Sequence, residues 1–188
     1  MSSDDMRFYE TFYGIYTDHW TEDYPSSSTV FSGNHYILVK DYISDACKTT
    51  ETSVATAVNK FLYPQHISKV YFVEGVITGH ITLGASGATS TVTSYRVSLC
   101  KIDEADTETE LFTTGWVTVS DTLTWNAAYS VGDERVYPFW IDAWEYEKLD
   151  EYERLYVKVQ VTADNNCVLW HSNDSTWEDL KIEIPLRT

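Results

Sequence analysis

At residues 154–163 the chain reads RLYVKVQVTA, in which apolar and polar side chains alternate along almost the whole stretch. Successive side chains of a β-strand point to opposite faces, so this stretch has one apolar face and one polar face. The apolar face carries Leu155, Val157, Val159 and Val161, and the polar face carries Tyr156, Lys158, Gln160 and Thr162. We therefore predict a strand that covers a core with one side and meets water with the other.

The same alternation recurs at distant positions along the chain. LKIEIPL at 180–186 places its apolar residues on one face, and long strands are predicted at 69–83 and 91–102. The small residues GASGATS at 84–90 are expected to join these two long strands as a flexible turn. About eight or nine strands, with turn residues between most of them and no repeated strand–helix unit, indicate an all-β, antiparallel protein.

Apolar faces on strands that are far apart in sequence need a shared core, which two facing sheets supply. Connections at 40–53, 121–134 and 147–153 are longer than hairpin turns and favour Greek-key crossings. We predict an antiparallel two-sheet sandwich, jelly-roll-like, with an immunoglobulin-like sandwich as the alternative. The sequence RVYPFWIDAWEY at 135–146 is apolar on both faces and contains Pro138, which indicates a strand near an edge or one that switches sheets.

Residues 1–28 differ from the rest of the chain, because they combine many aromatic side chains with Asp, Ser and Thr and end in PSSS. Phe8, Phe12 and Tyr16 have helical spacing. This segment either folds back on the body or forms an arm whose aromatic side chains dock on a neighbouring subunit. We divide the chain into an N-terminal arm, 1–28, and a β-sandwich domain, 29–188.

The charge of the chain excludes one class of partner. With 13 basic and 29 acidic residues among 188, the formal net charge is −16, and phosphate backbones repel such a chain, so we expect no nucleic acid partner. There is no stretch of about 18 apolar residues to span a membrane, and MSSDDMRFYE lacks the features of a signal peptide. The odd number of cysteines, without CxxC spacing, favours reduced thiols over one disulfide with a spare thiol: Cys47, Cys100 and Cys167.

Candidate chemistry is concentrated around the acidic residues of 142–153, which lie beside Trp140 and Trp144. Paired carboxylates beside a stacking platform are the groups of a glycoside hydrolase. The alternative, which we favour, is an acid-rich loop that keeps an aromatic strand in water. Oxygen-rich turns at 164–166 and 172–174 suit calcium, but they lack the spacing of a calcium loop. We therefore expect no catalytic residues, no metal and no cofactor.

The seven tryptophans and 14 tyrosines are many for a chain of this length. Core packing explains most of them, but exposed aromatic side chains also serve as sugar platforms and subunit contacts. The predicted alternation turns four aromatic residues of the sandwich outward: Trp116, Trp140, Trp144 and Tyr156. With the arm included, the candidate interface residues are Phe8, Phe12, Tyr16, Trp20, Trp116, Trp140 and Trp144.

Near the C-terminus, YERLYVKVQVTADNN at 152–166 is followed by VLWHSNDSTWEDLKIEIPL at 168–186. This succession of a strand, a polar loop, a short apolar strand, a Ser/Asn/Asp loop and a last strand ending in Ile-Pro resembles the closing strands of jelly-roll virion proteins of tailed phages and archaeal viruses. The resemblance implies a capsid decoration, turret or fibre-head protein on the virion surface. Such a protein is assembled in the host cytoplasm and binds the capsid shell protein and copies of itself, often as a trimer.

The function expected from the resemblance is structural, without enzymatic activity. A carbohydrate-binding module that serves as a receptor-binding head is the alternative, because exposed aromatic side chains also bind sugars. A sandwich-fold glycosidase ranks last. The resemblance carries over no functional residue, because the family shares no catalytic motif that this chain could match.

Overall fold

The computed structural model describes residues 7–16, 36–40, 52–53, 58–128, 131–164, 167–169 and 180–187. These residues form β-strands and connections, and no helix occurs among them. The all-β class that the alternation predicts is therefore confirmed.

Fourteen strands make up the described part of the chain. In chain order they are β1 Arg7–Tyr16, β2 Tyr36–Val39, β3 Thr52–Ser53, β4 Val58–Leu62, β5 Tyr71–Ala85, β6 Ser90–Ile102, β7 Glu108–Thr113, β8 Val117–Leu123, β9 Trp125–Asn126, β10 Val131–Gly132, β11 Glu134–Leu149, β12 Arg154–Ala163, β13 Cys167–Leu169 and β14 Leu180–Arg187. The strand at 154–163 has the bounds that the sequence predicts.

All strands except β9 and β10 belong to one mixed sheet. Its path runs β11–β5–β14–β1–β2–β4–β12–β6, and β6 ends the path by pairing with both β7 and β8. β5 pairs with β11, and it also pairs with β14 and β13 at successive positions along its length. Every ladder is antiparallel except the single parallel contact between Ile37 of β2 and Leu62 of β4.

The two ends of the sheet approach each other, so that the sheet is nearly barrel-shaped. The hydroxyl of Tyr95 on β6 donates a hydrogen bond of 2.7 Å to the carbonyl oxygen of Pro138 on β11. Arg135 of β11 forms an ion pair with Asp121 of β8. These contacts join the first and last strands of the path without a backbone ladder between them.

The core lies inside this curled sheet and is built from the faces that the alternation predicts. On β12 the inward residues Leu155, Val157, Val159 and Val161 are all buried. They pack in one cluster with inward residues of the distant strands, including Ile77 of β5. Burying each such side chain contributes about 1.5–3 kcal/mol, so the shared core holds strands together that are far apart in sequence.

The expected turn at 84–90 does not form a hairpin. β5 and β6 share no backbone ladder, because both edges of each strand are occupied by other strands. The chain instead crosses through residues 86–89 from one part of the curled sheet to another, with Gly87 at a φ of 75°, a left-handed conformation that glycine adopts readily. The sequence predicts two long strands here correctly and their partners incorrectly.

Residues 7–16 are a strand of the sheet and not a helix. The helical spacing of Phe8, Phe12 and Tyr16 therefore does not correspond to a helix. β1 pairs with β14 from Arg7 opposite Arg187 to Gly14 opposite Leu180, and its end pairs with β2. This portion of the predicted arm is therefore folded against its own chain. The remaining part of that arm, 17–28, and the boundary at 28 lie outside the described residues.

The close packing of β5 against β14 and β11 can be tested by a substitution at Gly79. A Cβ atom there would overlap the carbonyl oxygen of Lys181 and lie 2.6 Å from the Cζ atom of Phe139. The backbone of a neighbouring strand cannot move aside, so Gly79→Ala should lower the free energy of unfolding by about 1–3 kcal/mol in urea titrations. Thr78→Ala, on the outward face of the same strand, should change it by about 0.5 kcal/mol. Equal effects would contradict the packing of β5 against β14.

Candidate functional site

Two tryptophans on β11 point into water. Trp140 is 67% exposed and Trp144 is 72% exposed, whereas Phe139, Ile141 and Ala143 between and beside them are buried. The period of two therefore sends the odd-numbered residues to the core and both indoles to the outer face. This pair of exposed indoles is not packed into the core that the described residues form, which makes it a candidate contact site.

Neighbouring residues of β11 and β5 complete this surface. Asp142 lies between the two tryptophans and is exposed. Across the ladder, Trp140 is opposite Thr78 and Asp142 is opposite Val76. Alternate residues of a strand are about 7 Å apart, so the two indoles flank the carboxylate at similar distances. We call Trp140, Asp142, Trp144, Val76 and Thr78 the tryptophan face.

β11 is an edge strand of the sheet, one of the two alternatives that Pro138 indicates. Among the described strands its one ladder partner is β5, and this ladder shifts register between Ala143 and Glu147. Pro138 has no backbone N–H group to leave unpaired at the edge, and its carbonyl oxygen accepts the hydrogen bond from Tyr95. The strand that carries the indoles is thereby fixed to the body on both sides.

On the outer face of β4, β12, β6 and β7, charged side chains form ion pairs with one another. Lys60 of β4 lies 2.7 Å from a carboxylate oxygen of Glu108 on β7. Glu110 of β7 is paired with Arg96 of β6 and, at 2.8 Å, with Lys158 of β12. This layer of alternating charges leaves no exposed aromatic patch over the described parts of β4, β12, β6 and β7.

Beneath this layer lies a small second hydrophobic cluster formed by Leu62, Cys100, Ile102 and Tyr156. Tyr156 is only 1% exposed, and its hydroxyl donates a hydrogen bond to Glu108. The prediction that Tyr156 faces water is therefore wrong. The alternation places it on the outer face correctly, but the side chains of Glu108 and Lys60, from other strands of the same sheet, lie against it there.

The described cysteines are buried thiols whose protonated form is favoured. Cys100 and Cys167 are free and buried, and burial raises the pKa of the Cys100 thiol to about 11 and that of Cys167 to about 12. A thiol must lose its proton to attack or to bind a metal. Cys47 lies outside the described residues.

Two of the acidic residues of 142–153 are engaged in ion pairs with lysines. Glu153 is paired with Lys101 at 2.9 Å and accepts a hydrogen bond from the backbone of Asp150. Asp150 is itself paired with Lys148. These carboxylates hold a turn together, whereas Asp142 belongs to the tryptophan face.

The described residues also offer little to a metal ion. Among them, no group of three or more His, Cys, Asp or Glu side chains is placed to hold one. Asp164, in the first of the oxygen-rich turns, uses a carboxylate oxygen to accept the backbone N–H of Thr91 at 3.0 Å. The turn at 172–174 lies outside the described residues.

Among the predicted interface residues whose side chains the structure describes, Trp140 and Trp144 are the two that lie together on one exposed surface. Trp116 is 52% exposed, but it lies in the connection between β7 and β8. The sequence does not identify Val76 and Thr78 as part of the surface, because their pairing with β11 joins strands that are distant along the chain.

The aromatic residues of the predicted arm have different positions. Phe12 is 2% exposed and packs in the core of its own chain, which corrects its assignment to an interface. Phe8 is half-buried with its ring 6.0 Å from that of Tyr71. The Tyr16 side chain and Trp20 lie outside the described residues. The exposed aromatic residue of β1 is Tyr9, which the period of two could have identified.

Comparison with known proteins gives a likeness of fold. No family model matches this chain, and no curated protein matches it. Two crystal structures of a CocE/NonD family hydrolase from Staphylococcus aureus align with it. The first covers 93% of this chain and 36% of the hydrolase chain at 11% identity, with a TM-score of 0.50. The second covers 99% and 37% at 10% identity, with a TM-score of 0.39.

The chain thus spans about a third of the length of the hydrolase that it matches. At this level of identity the first alignment shows the fold alone, so neither activity nor site residues carry over from the hydrolase. The absence of enzymatic activity remains a prediction. In the described part of the chain, no helix has the length and apolarity that crossing a bilayer requires.

The outward direction of the indoles can be tested by stability measurements. Trp140→Ala and Trp144→Ala should each change the free energy of unfolding by only about 0.5 kcal/mol, as is usual for surface positions. Phe139→Ala, one residue away but buried, should lower it by about 3–5 kcal/mol. Urea titrations followed by circular dichroism measure all three. A large loss for the tryptophan variants would show that the indoles pack inside.

The ion-pair layer predicts a pH dependence of stability. Burial by itself raises the pKa of Glu108, but hydrogen bonds from Lys60 and Tyr156 outweigh it and leave the pKa below its ordinary value of 4.5. A carboxylate with a lowered pKa in the folded state stabilises that state above the ordinary value, and this contribution is lost as the pH falls through the folded-state pKa.

We therefore expect Glu108→Gln to lose less stability than the unmodified protein when the pH is lowered below 4.5. Unfolding free energies measured by urea titration between neutral and acidic pH give the comparison. Glu104→Gln, in the exposed loop between β6 and β7, is the matched control and should retain the full pH dependence. Identical pH profiles for Glu108→Gln and the unmodified protein would contradict the role of this layer.

Proposed function

We propose that this protein is an exterior structural component of a virus particle, a decoration, turret or fibre-head protein, that acts by binding other proteins. The observation that carries the proposal is the tryptophan face, where Trp140 and Trp144 stand exposed on a rigid edge strand. Tryptophan is among the residues that contribute most at protein interfaces, because it buries a large area with few rotatable bonds. The partners are the capsid shell protein and further copies of this chain, often in a trimer.

The distribution of charge supports a contact role. The net charge of −16 disfavours packaged nucleic acid as a partner and keeps separate particles apart. The remaining outer face over β6 and β12 is occupied by paired charges. Apart from the single exposed Tyr9 of β1, the tryptophan face is where exposed aromatic side chains lie on the described strands, and there two of them lie together. Binding is thereby directed to one side of the molecule.

The architecture that goes with this proposal is a jelly-roll-like two-sheet sandwich. In this arrangement, β11, β5, β14 and β1 form one layer of the nearly barrel-shaped sheet. A second layer is built around β12 and β6. The resemblance of the C-terminal strands to virion jelly rolls supports this arrangement. Such a protein needs no cofactor, is mounted on the virion surface after assembly in the host cytoplasm, and lacks enzymatic activity.

Self-association gives the direct test. Size-exclusion chromatography with light scattering should show an oligomer that dissociates in Trp140→Ala and Trp144→Ala, because each variant removes a central contact. Trp116→Ala is the matched control, since it removes an exposed indole from the connection between β7 and β8. A strict monomer at all concentrations, or an oligomer unaffected by either β11 variant, would contradict the proposal.

One observation favours a second candidate, a carbohydrate-binding module. Asp142 between two exposed indoles combines a hydrogen-bond acceptor with stacking surfaces, as sugar recognition requires. A glycan array distinguishes the candidates. Binding that Trp140→Ala abolishes while the oligomeric mass is unchanged would favour the carbohydrate-binding module, and an array without binding would remove it.

A further inference from the structure

A cleft opens at the core, and none of its lining residues belongs to the tryptophan face. Its floor consists of the buried residues Phe12 of β1, Leu155 of β12 and Leu186 of β14. The residues after β4, including Tyr63 and Gln65, form its rim. The cleft encloses about 110 Å³, which is room for several water molecules or for one small ring of similar bulk.

A carboxylate occupies a core-facing position at this cleft. On β1, Glu10 lies opposite Ile184 and shares the inward face with Phe8 and Phe12. Placing a carboxylate on such a face is unfavourable unless it is paired. Lys40 provides the pairing, with its ammonium nitrogen 2.6 Å from a carboxylate oxygen of Glu10.

The charge of Lys40 is fixed by its surroundings. Burial by itself lowers the pKa of Lys40, but the hydrogen bond with Glu10 and the neighbouring tyrosines outweigh burial and raise the pKa above its ordinary value. The ammonium lies 5.8 Å from the ring centroid of Phe12 and 5.9 Å from that of Tyr63. The cleft thus places the ammonium donor of Lys40 beside the carboxylate acceptor of Glu10, against aromatic rings.

The rim adds further polar groups and a rigid support. The hydroxyl of Tyr63 donates a hydrogen bond of 2.8 Å to the side-chain oxygen of Gln65, which directs the Gln65 amide nitrogen away as a donor. His66 is held on both sides, with Nδ1 2.6 Å from the carbonyl oxygen of Tyr152 and Nε2 2.6 Å from Arg154. Because a guanidinium only donates hydrogen bonds, Nε2 accepts and Nδ1 donates.

We propose that this cleft binds one sugar ring, the terminal residue of a glycan, through two adjacent hydroxyl groups. A ligand for the Glu10–Lys40 pair must donate and accept hydrogen bonds at neighbouring atoms, and a hydroxyl group does both. A ligand that is only a cation is repelled by the charge of Lys40, and a ligand that is only an anion is repelled by the charge of Glu10. The apolar floor and the Tyr63 ring receive the C–H face of the sugar.

This site shares no residue with the tryptophan face, and it does not depend on the proposed structural role. A particle protein that binds its neighbours through β11 leaves the cleft open to a glycan. Failure of the self-association test therefore leaves the cleft proposal standing, and failure of the sugar test leaves the structural role standing.

The test uses the full chain and the methyl glycosides of glucose, galactose, mannose, fucose and N-acetylglucosamine as probes, with saturation-transfer NMR and calorimetric titration. We expect at least one glycoside to bind. Its affinity should fall about tenfold in Glu10→Gln and in Lys40→Met, because each loses a hydrogen bond to a charged group. Trp140→Ala is the control and should bind as the unmodified protein does.

Folding of each variant is checked by circular dichroism, and Gln65→Ala on the exposed rim serves as a further variant that leaves the core intact. It too should weaken binding of the same glycoside. The proposal is overturned if none of the five glycosides binds, or if one binds equally well to the Glu10, Lys40 and Gln65 variants. Free glycine and alanine are zwitterions that carry a donor and an acceptor. The proposal is also overturned if either of them binds the cleft more tightly than the glycoside and displaces it.

Discussion

One constraint organises this molecule: each strand must bury one face and leave the other outside, and strands that are far apart in the chain must bury their faces in the same core. β12 and β5 illustrate it, since Val157 and Ile77 belong to one cluster although their strands are separated by the whole of β6 to β11. Because successive side chains alternate, the burial of each inward residue also determines where its neighbours point. The exposure of Trp140 is thus a consequence of the burial of Phe139 and Ile141.

The outer face of the sheet is covered by charged side chains in one region and left open to water in another. On the outer face of β4, β12, β6 and β7, side chains of these neighbouring strands form a layer of paired charges, and Tyr156 and Cys100 are buried beneath it. Over β11 no such layer exists within the described residues, and the indoles remain in water. Hydrophobic area left exposed on a rigid strand is the usual mark of a contact surface, whereas an ion-pair layer covers its strands with charge. This contrast locates the proposed function on one side of the molecule.

The sequence predicts strand positions and inward faces well, because both depend on local alternation. The bounds of β12 and the edge position of β11, indicated by Pro138, are examples. It predicts strand partners poorly, since the partner of β5 is β11 and not the adjacent β6. It also cannot show which outer positions the side chains of neighbouring strands cover, as with Tyr156. The exposure of residues such as Trp140 can be predicted from the local alternation of the sequence. The cleft beside Glu10 cannot, because its residues come from parts of the chain that only folding brings together.

Hydroxyl-radical footprinting with mass spectrometry tests the central claim most directly, because it measures the solvent exposure of individual side chains in the free protein and in its assembled form. The account predicts that Trp140 and Trp144 are oxidised rapidly in the free chain and become protected on assembly, while Trp116 stays reactive in both. Protection of both β11 indoles already in the free chain, or full reactivity in the assembly, would contradict it.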